Sequence, residues 1–345
     1  MTIKKINKLF KKRPIFVAEI SANHGGNINN AKKLIDIAKK NGADAVKLQT
    51  YTPRSMTIIS RKKYFQINAG LWKGYSLWDL YKKAHTPYEW HKELFKYAKK
   101  KNIICFSSAF DEGAVDLLED LKCPIYKVSS FEMNDYALIK YIAKTKKPVI
   151  ISTGMSSLEE IKSTYNFSKK AGIKDLTMLY CVSSYPASTK DFNLENISIL
   201  KEKFNCRIGF SDHSTNNVVS SMAVTLGAEI IEKHIALPND KTSPDVKFSL
   251  KGKEIKKFRA DLDLAYLLKG QNKFLRKENE MKNIKFRRSI FSVKNIRKGE
   301  KFSKNNIRRI RPGYGISPVY YNKILGKKSK SKINLAEPIK KKYIY

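Results

Sequence analysis

The 345 residues and 42% hydrophobic content allow one large domain, a small second one and a substantial core. No run approaches the ~18 consecutive apolar residues of a membrane span, and the basic stretch from Met1 to Arg13 leads into no apolar segment of signal length, so a soluble cytoplasmic protein is expected. A formal net charge of +38 invites a nucleic-acid reading, but the lysines (Lys32, Lys33, Lys39, Lys40, Lys96, Lys99, Lys100 and Lys101 among them) spread over helical faces without a stripe of stacking aromatics, which favours an anionic small-molecule substrate over specific nucleic-acid binding.

Short apolar runs alternate with stretches of helical period along most of the chain. The runs are Ile15 to Ile20, Ala45 to Leu48, Ile103 to Ser107, Ile125 to Val128, Val149 to Ser152, Leu176 to Tyr180, Arg207 to Phe210 and Glu229 to Glu232. Candidate helices fall near 29–40, 88–101, 112–120, 135–145, 157–171, 193–204, 216–227 and 251–270. Eight such repeats predict a TIM (β/α)8 barrel over 1–271, with strands covered on both faces and chemistry at their C-terminal ends. The Lys-, Asn- and Glu-rich segment 272–285 reads as a linker. Beyond it, 286–345 carries short β-prone pieces punctuated by Gly299, Pro312, Gly313, Gly315, Pro318, Gly326 and Pro338, the pattern of a small, mostly-β module. Cys105, Cys123, Cys181 and Cys206 form no C-x-x-C pair, so reduced, mostly buried thiols are expected rather than a disulfide framework or a zinc knuckle.

Every predicted strand ends in polar residues: Glu19 with Asn23 and His24, Lys47 with Gln49, Ser107 with Ser108, Lys127 with Ser129 and Ser130, Ser152 with Thr153, Ser183 with Tyr185, Ser211 with His213, and Glu232 with His234. Serines alone would be turn residues. Two lysines and two acids at the edge of apolar strands need partners, because burying an unpaired charge is unfavourable. His213 and His234 each follow an apolar run closely, so neutral imidazoles on neighbouring strands can share one divalent ion; hydrogen-bonded loop histidines are the other reading.

Several ordered motifs carry a resemblance: Ala18-Glu-Ile-Ser-Ala-Asn-His24, Gly42-Ala-Asp-Ala-Val-Lys-Leu-Gln-Thr-Tyr51, Tyr126-Lys-Val-Ser-Ser130, Ser152-Thr-Gly154, Gly209-Phe-Ser-Asp-His-Ser214, Glu232-Lys-His234, and in the tail Arg311-Pro312 and Leu325-Gly-Lys327. Over essentially its full length the chain resembles the sialic acid synthase family. The resemblance implies a TIM barrel followed by an antifreeze-like (SAF) domain. It also implies a transferase activity, the condensation of phosphoenolpyruvate with an open-chain amino sugar and water, with C–O cleavage releasing phosphate and a nonulosonic acid. It further implies a head-to-tail, domain-swapped homodimer in which Arg311 is offered to the partner's barrel.

Carried over by position, the resemblance makes His213 and His234 ligands of a divalent metal, Mn2+ or Mg2+, that activates the sugar aldehyde. Lys47, Gln49, Lys127, Ser130, Ser152 and Ser211 match the phosphoenolpyruvate pocket, where charge-assisted bonds suit a phosphate and a carboxylate. Glu19 is the candidate for positioning the attacking water or moving its proton, and Asp245 is a second carboxylate. Glu232 is placed beside a metal-bound water, and Tyr185 near the sugar. Simpler roles stand beside these: Glu19 as a helix cap or a partner for Lys47, Asp245 as a solvated loop residue, Tyr185-Pro186 as a rigid turn, and His24 as a packing residue.

Ser21, Gln49-Thr-Tyr-Thr-Pro53, Gly70-Leu-Trp72, Thr86-Pro-Tyr-Glu-Trp-His91, Ser183 and Arg311-Pro-Gly-Tyr-Gly315 resemble the pseudaminic branch. That implies a 2,4-diacetamido-2,4,6-trideoxy-L-altrose substrate. The alternatives are synthesis of N-acetylneuraminic or legionaminic acid within the same family and, from another class, a non-catalytic basic polyanion-binding protein.

Overall fold

Eight short parallel strands close on themselves in the computed structural model, which describes residues 13–271 and 273–345. They are β1 (Ile15–Glu19), β2 (Ala45–Thr50), β3 (Ile104–Ala109), β4 (Tyr126–Val128), β5 (Val149–Ser152), β6 (Leu176–Cys181), β7 (Arg207–Asp212) and β8 (Ile230–Ala236). Each pairs with its successor, and β1 pairs with β8. A short β9 (Leu250–Lys251) extends β8 outside the ring. Almost every strand residue is buried, as apolar strands under a full helical coat must be.

The coat consists of α1 (Ile28–Lys40), α4 (Tyr88–Lys100), α5 (Glu112–Asp120), α6 (Tyr136–Ala143), α7 (Leu158–Lys170), α8 (Glu195–Lys203), α9 (Val218–Leu226) and α10 (Lys253–Lys269). Local chemistry starts and stops them. Asn27 caps α1 by accepting from Asn29 N, and the helix buries Ala31, Leu34, Ile35 and Ala38, a helical spacing that faces the sheet. Ser157 and Glu160 form a capping box on α7, and Gly227, at φ 112°, ends α9 in a left-handed turn. The 51–87 segment, which the periodicity left without elements, folds into two further helices, α2 (Pro53–Met56) and α3 (Leu77–Ala84).

Gln271–Tyr345 forms a second compact unit, separate from Met1–Gly270. In it β10 (Ser289–Ser292) pairs antiparallel with β11 (Ile307–Ile310), and isolated bridges such as Ile296 to Ile333 replace longer strands. Its core is small: Ile290, Ile296, Phe302, Ile307, Ile324, Ile333 and Ile339. The segment read as a linker carries helical turns at α11 (Glu278–Met281) and Lys282–Phe286, and it groups with this unit. α12 (Tyr321–Ile324) completes it.

Candidate active site

At the C-terminal mouth of the barrel lies a cavity of about 360 Å³, a size suited to small ligands. Strand pleating decides what enters it, because alternate residues face opposite sides. Lys47 and Gln49 of β2, Lys127 of β4, Ser152 of β5, Cys181 of β6, Ser211 of β7, and Glu232 and His234 of β8 all line it, and Ser130, Tyr185, His213 and Asp245 join from the loops. His234 does not follow its strand as the apolar run suggested. It stands inside β8, which continues to Ala236.

Two lysines and two carboxylates form the polar floor. Lys47 Nζ lies 2.6 Å from Glu19 Oε2 and 3.8 Å from Glu232 Oε2, and donates to Ser108 Oγ at 3.0 Å. Lys127 Nζ lies 3.8 Å from Glu232 Oε1, which accepts from Ser211 Oγ at 2.9 Å. Burial would lift the Glu232 carboxyl, but Lys127 and Lys47 outweigh it and hold it below its ordinary value. Burial also works against the Lys47 ammonium, yet Glu19 and Glu232 raise it overall, whereas burial wins at Lys127 and lowers it.

Glu19 is the partner of Lys47, one of the simpler roles open to it. It sits fully buried on the barrel-interior face that it shares with its cross-strand partners Lys47 and His234, paired with Lys47 and accepting from Gln49 Nε2 at 3.2 Å. Burial pushes it up to about 7 against the pull of Lys47. The carboxylates that line the cavity are Glu232, Asp245 and Glu132, the last of which the sequence reading missed.

The histidine rings stand 5.6 Å apart between centroids, and Phe248 packs against both. His213 Nδ1 lies 3.0 Å from Val182 O; a carbonyl only accepts, so that nitrogen carries the proton and Nε2 keeps its lone pair. Burial holds His213 down at about 4 and His234 well below its ordinary value, so both rings are neutral at physiological pH. His234 Nδ1 has no hydrogen-bond partner and lies 3.6 Å from Asp245 Oδ2. Asp245 is therefore not a solvated loop residue. It is buried, Ser249 Oγ donates to its carbonyl at 2.6 Å, and Trp72 Nε1 donates to the preceding Pro244 carbonyl at 3.1 Å. Burial raises the Asp245 carboxyl against a hydrogen bond from Ser21.

A divalent cation fits this donor set. Two neutral imidazoles share the wall, and one of them has an unpartnered ring nitrogen. Among the described residues no three His, Cys, Asp or Glu side chains converge on an ion, so the protein would supply two donors and leave the other positions to water and substrate oxygens. Ser152 Oγ and Glu232 Oε2 are also buried without hydrogen-bond partners, which is costly unless a ligand meets them.

Tyr185 lies 4.5 Å from His213 and 5.3 Å from Trp72 between centroids, so the ring lines the cavity in addition to the turn its cis Pro186 makes. With Tyr51, Leu80, Tyr81 and Phe110 it faces the polar floor with an apolar lobe. Most of that lobe comes from 51–84, where no periodic pattern announced it. His24 is a packing residue: it is fully buried, accepts from Gly26 N at 3.1 Å and packs edge-on against Trp90. Arg311 is exposed and belongs to the C-terminal unit.

A family-wide sequence model described as the NeuB family matches residues 34–274. The chain belongs to that family. A second, described as the SAF domain, matches residues 287–344, so the expected barrel and antifreeze-like tail are both present. The pseudaminic acid synthase of Campylobacter jejuni is 43% identical to this NeuB-family chain over 329 residues, covering 95% of it and 96% of the relative. The N,N'-diacetyllegionaminic acid synthase of Campylobacter jejuni is 38% identical over 320 residues, covering 92% and 96%. Among solved structures, the N-acetylneuraminic acid synthetase of Leptospira borgpetersenii, crystallised with citrate, superposes with a TM-score of 0.70 at 30% identity, covering 79% of this chain and 90% of that one. Among the described residues, no helix is long and apolar enough to cross a membrane.

Proposed function

We propose that this NeuB-family enzyme condenses phosphoenolpyruvate with 2,4-diacetamido-2,4,6-trideoxy-L-altrose and water, giving pseudaminic acid and phosphate. The observation that carries the reading is one cavity in which two buried lysines face two neutral histidines, in a chain 43% identical along its length to a pseudaminic acid synthase. Lys47 and Lys127 receive the anionic phosphoenolpyruvate, Ser130, Ser152 and Gln49 supply hydrogen-bond donors to it, and Ser211, donating to Glu232, lines the same pocket. Ligand oxygens would satisfy the orphaned Ser152 hydroxyl.

His213 and His234 would hold a manganese or magnesium ion, which when bound polarises the sugar's aldehyde oxygen as a Lewis acid. The Val182 carbonyl fixes the tautomer of His213 for that task. Asp245, raised by burial and lining the cavity beside His234, is placed to move the proton of the water that attacks C2. Glu19 acts from beneath the polar floor by setting the charge and position of Lys47 and Gln49, while Glu232 bridges the two lysines and offsets their mutual repulsion. Tyr185 and the apolar lobe receive the methyl and acetamido end of the sugar. Arg311, reaching across a head-to-tail homodimer, completes the site.

Phosphate release with manganese, measured across several amino sugars, tests this. The diacetamido-L-altrose is expected to give the highest kcat/KM. A higher value for the legionaminic precursor would replace the reading with that of the 38% identical relative. His213→Ala or His234→Ala is expected to lower kcat/KM by ~100-fold or more with the fold kept. A wild-type rate would remove both rings from the chemistry. Arg311→Ala is expected to depress turnover without unfolding the barrel. The polyanion-binding alternative predicts salt-sensitive DNA retention and no phosphate release.

A further inference from the structure

The residues between the cavity-lining ones face the other way. Ser211, His213, Glu232 and His234 line the cavity, so the pleat turns Asp212 and Lys233 outward, beneath α9. They are direct cross-strand partners in the β7–β8 register, and Lys233 Nζ lies 3.2 Å from Asp212 Oδ2 with both side chains almost wholly buried. Asp212 Oδ1 accepts from Ser214 N at 2.7 Å and Oδ2 from Ser220 Oγ of α9 at 2.6 Å. Lys233 also donates to the Ser214 carbonyl. The chain on both sides of His213 is thus tied to the residue immediately before His234.

A buried ion pair adds little net stability over a well-packed apolar pair, so stability alone does not account for one here. Its position does: ligating side chains need placement to within ~0.5 Å, and this pair joins the two strands one residue before each histidine. We propose that the Asp212–Lys233 ion pair is a positioning device that sets the spacing of the His213 and His234 rings and thereby the affinity of the site for a divalent cation. The inference rests on the reading of those histidines as ligands.

The test is a Mn2+ titration followed by electron paramagnetic resonance, on full-length protein without substrates, with thermal unfolding alongside. The double variant Asp212→Asn with Lys233→Met removes both charges in near-isosteric form. It is expected to stay folded, to bind Mn2+ about 10–100-fold more weakly and to keep its KM for phosphoenolpyruvate at saturating metal. A folded double variant with wild-type Mn2+ affinity overturns the proposal. Should that variant fail to fold, Ser220→Ala, which removes one hydrogen bond to Asp212, decides: weakening of a fewfold supports the device, and unchanged affinity overturns it. His213→Ala separates the two readings. If it binds Mn2+ as wild type does, the ligand assignment fails and the device with it; if it loses Mn2+ while the double variant does not, only the device fails.

Discussion

Glu19 is a carboxylate whose neighbours matter more than its own reach. Buried beneath Lys47 and Gln49 and pushed up to about 7, it changes charge near neutrality while both histidines stay neutral. When Glu19 is protonated, Lys47 loses its closest counter-charge and attracts an anion more strongly; when pH rises through about 7, ionised Glu19 competes with the ligand. Wild-type affinity for phosphoenolpyruvate should therefore fall, relative to Glu19→Gln, as pH rises through that window, by up to about tenfold if the anion shifts Glu19 by one pH unit. Isothermal titration of both proteins between pH 6 and pH 8.5 checks it, and parallel curves would remove Glu19 from anion binding. Ser21 poses a second residue-scale question, because its φ of 43° lies in the left-handed region where a Cβ is strained. Ser21→Gly and Ser21→Ala both lose the hydroxyl that reaches Asp245. The glycine variant should nonetheless be more stable than the alanine variant by about 1 kcal/mol in urea unfolding, since backbone strain outweighs the extra unfolded-state freedom.

At the scale of elements, β7 and β8 carry the site between them and tolerate little. A Cβ on Gly209 would come within 2.5 Å of Leu179 Cδ2 and 2.6 Å of the Ile230 carbonyl oxygen. Gly209→Ala should cost about 1–3 kcal/mol of stability, read as a lower urea midpoint, and should depress activity beyond that loss because Ser211 and His213 shift with the strand. Wild-type activity and stability together would show that β7 has slack. The strand-helix alternation was legible because most strands open with an apolar run and each of the eight coat helices has a buried apolar stripe. The end of β8 was not, since Lys233 and His234 interrupt the apolar run and find their partners, Asp212 and Asp245, in other elements. The 51–84 segment was equally opaque: Trp72, Leu80 and Tyr81 face a ligand cavity, so no core-facing period runs through it.

For the whole molecule, the excess of positive charge acts at long range. A net charge of +38 should steer phosphoenolpyruvate inward, so its kcat/KM is expected to fall severalfold between about 20 and 200 mM salt while kcat changes little. A flat salt profile would separate the surface lysines from catalysis. The amino-acid order by itself determined the barrel, the small β-rich tail and the polar identity of every strand exit, because apolar periodicity and turn residues are local properties. Only the tertiary structure decided which of those polar groups enter the cavity. Glu19 and His234 lie opposite each other across the β1–β8 closure, and Glu232 lies between lysines from β2 and β4. Register and pleat across a closed sheet set which charges meet, and with them which carboxylate is held low and which is lifted.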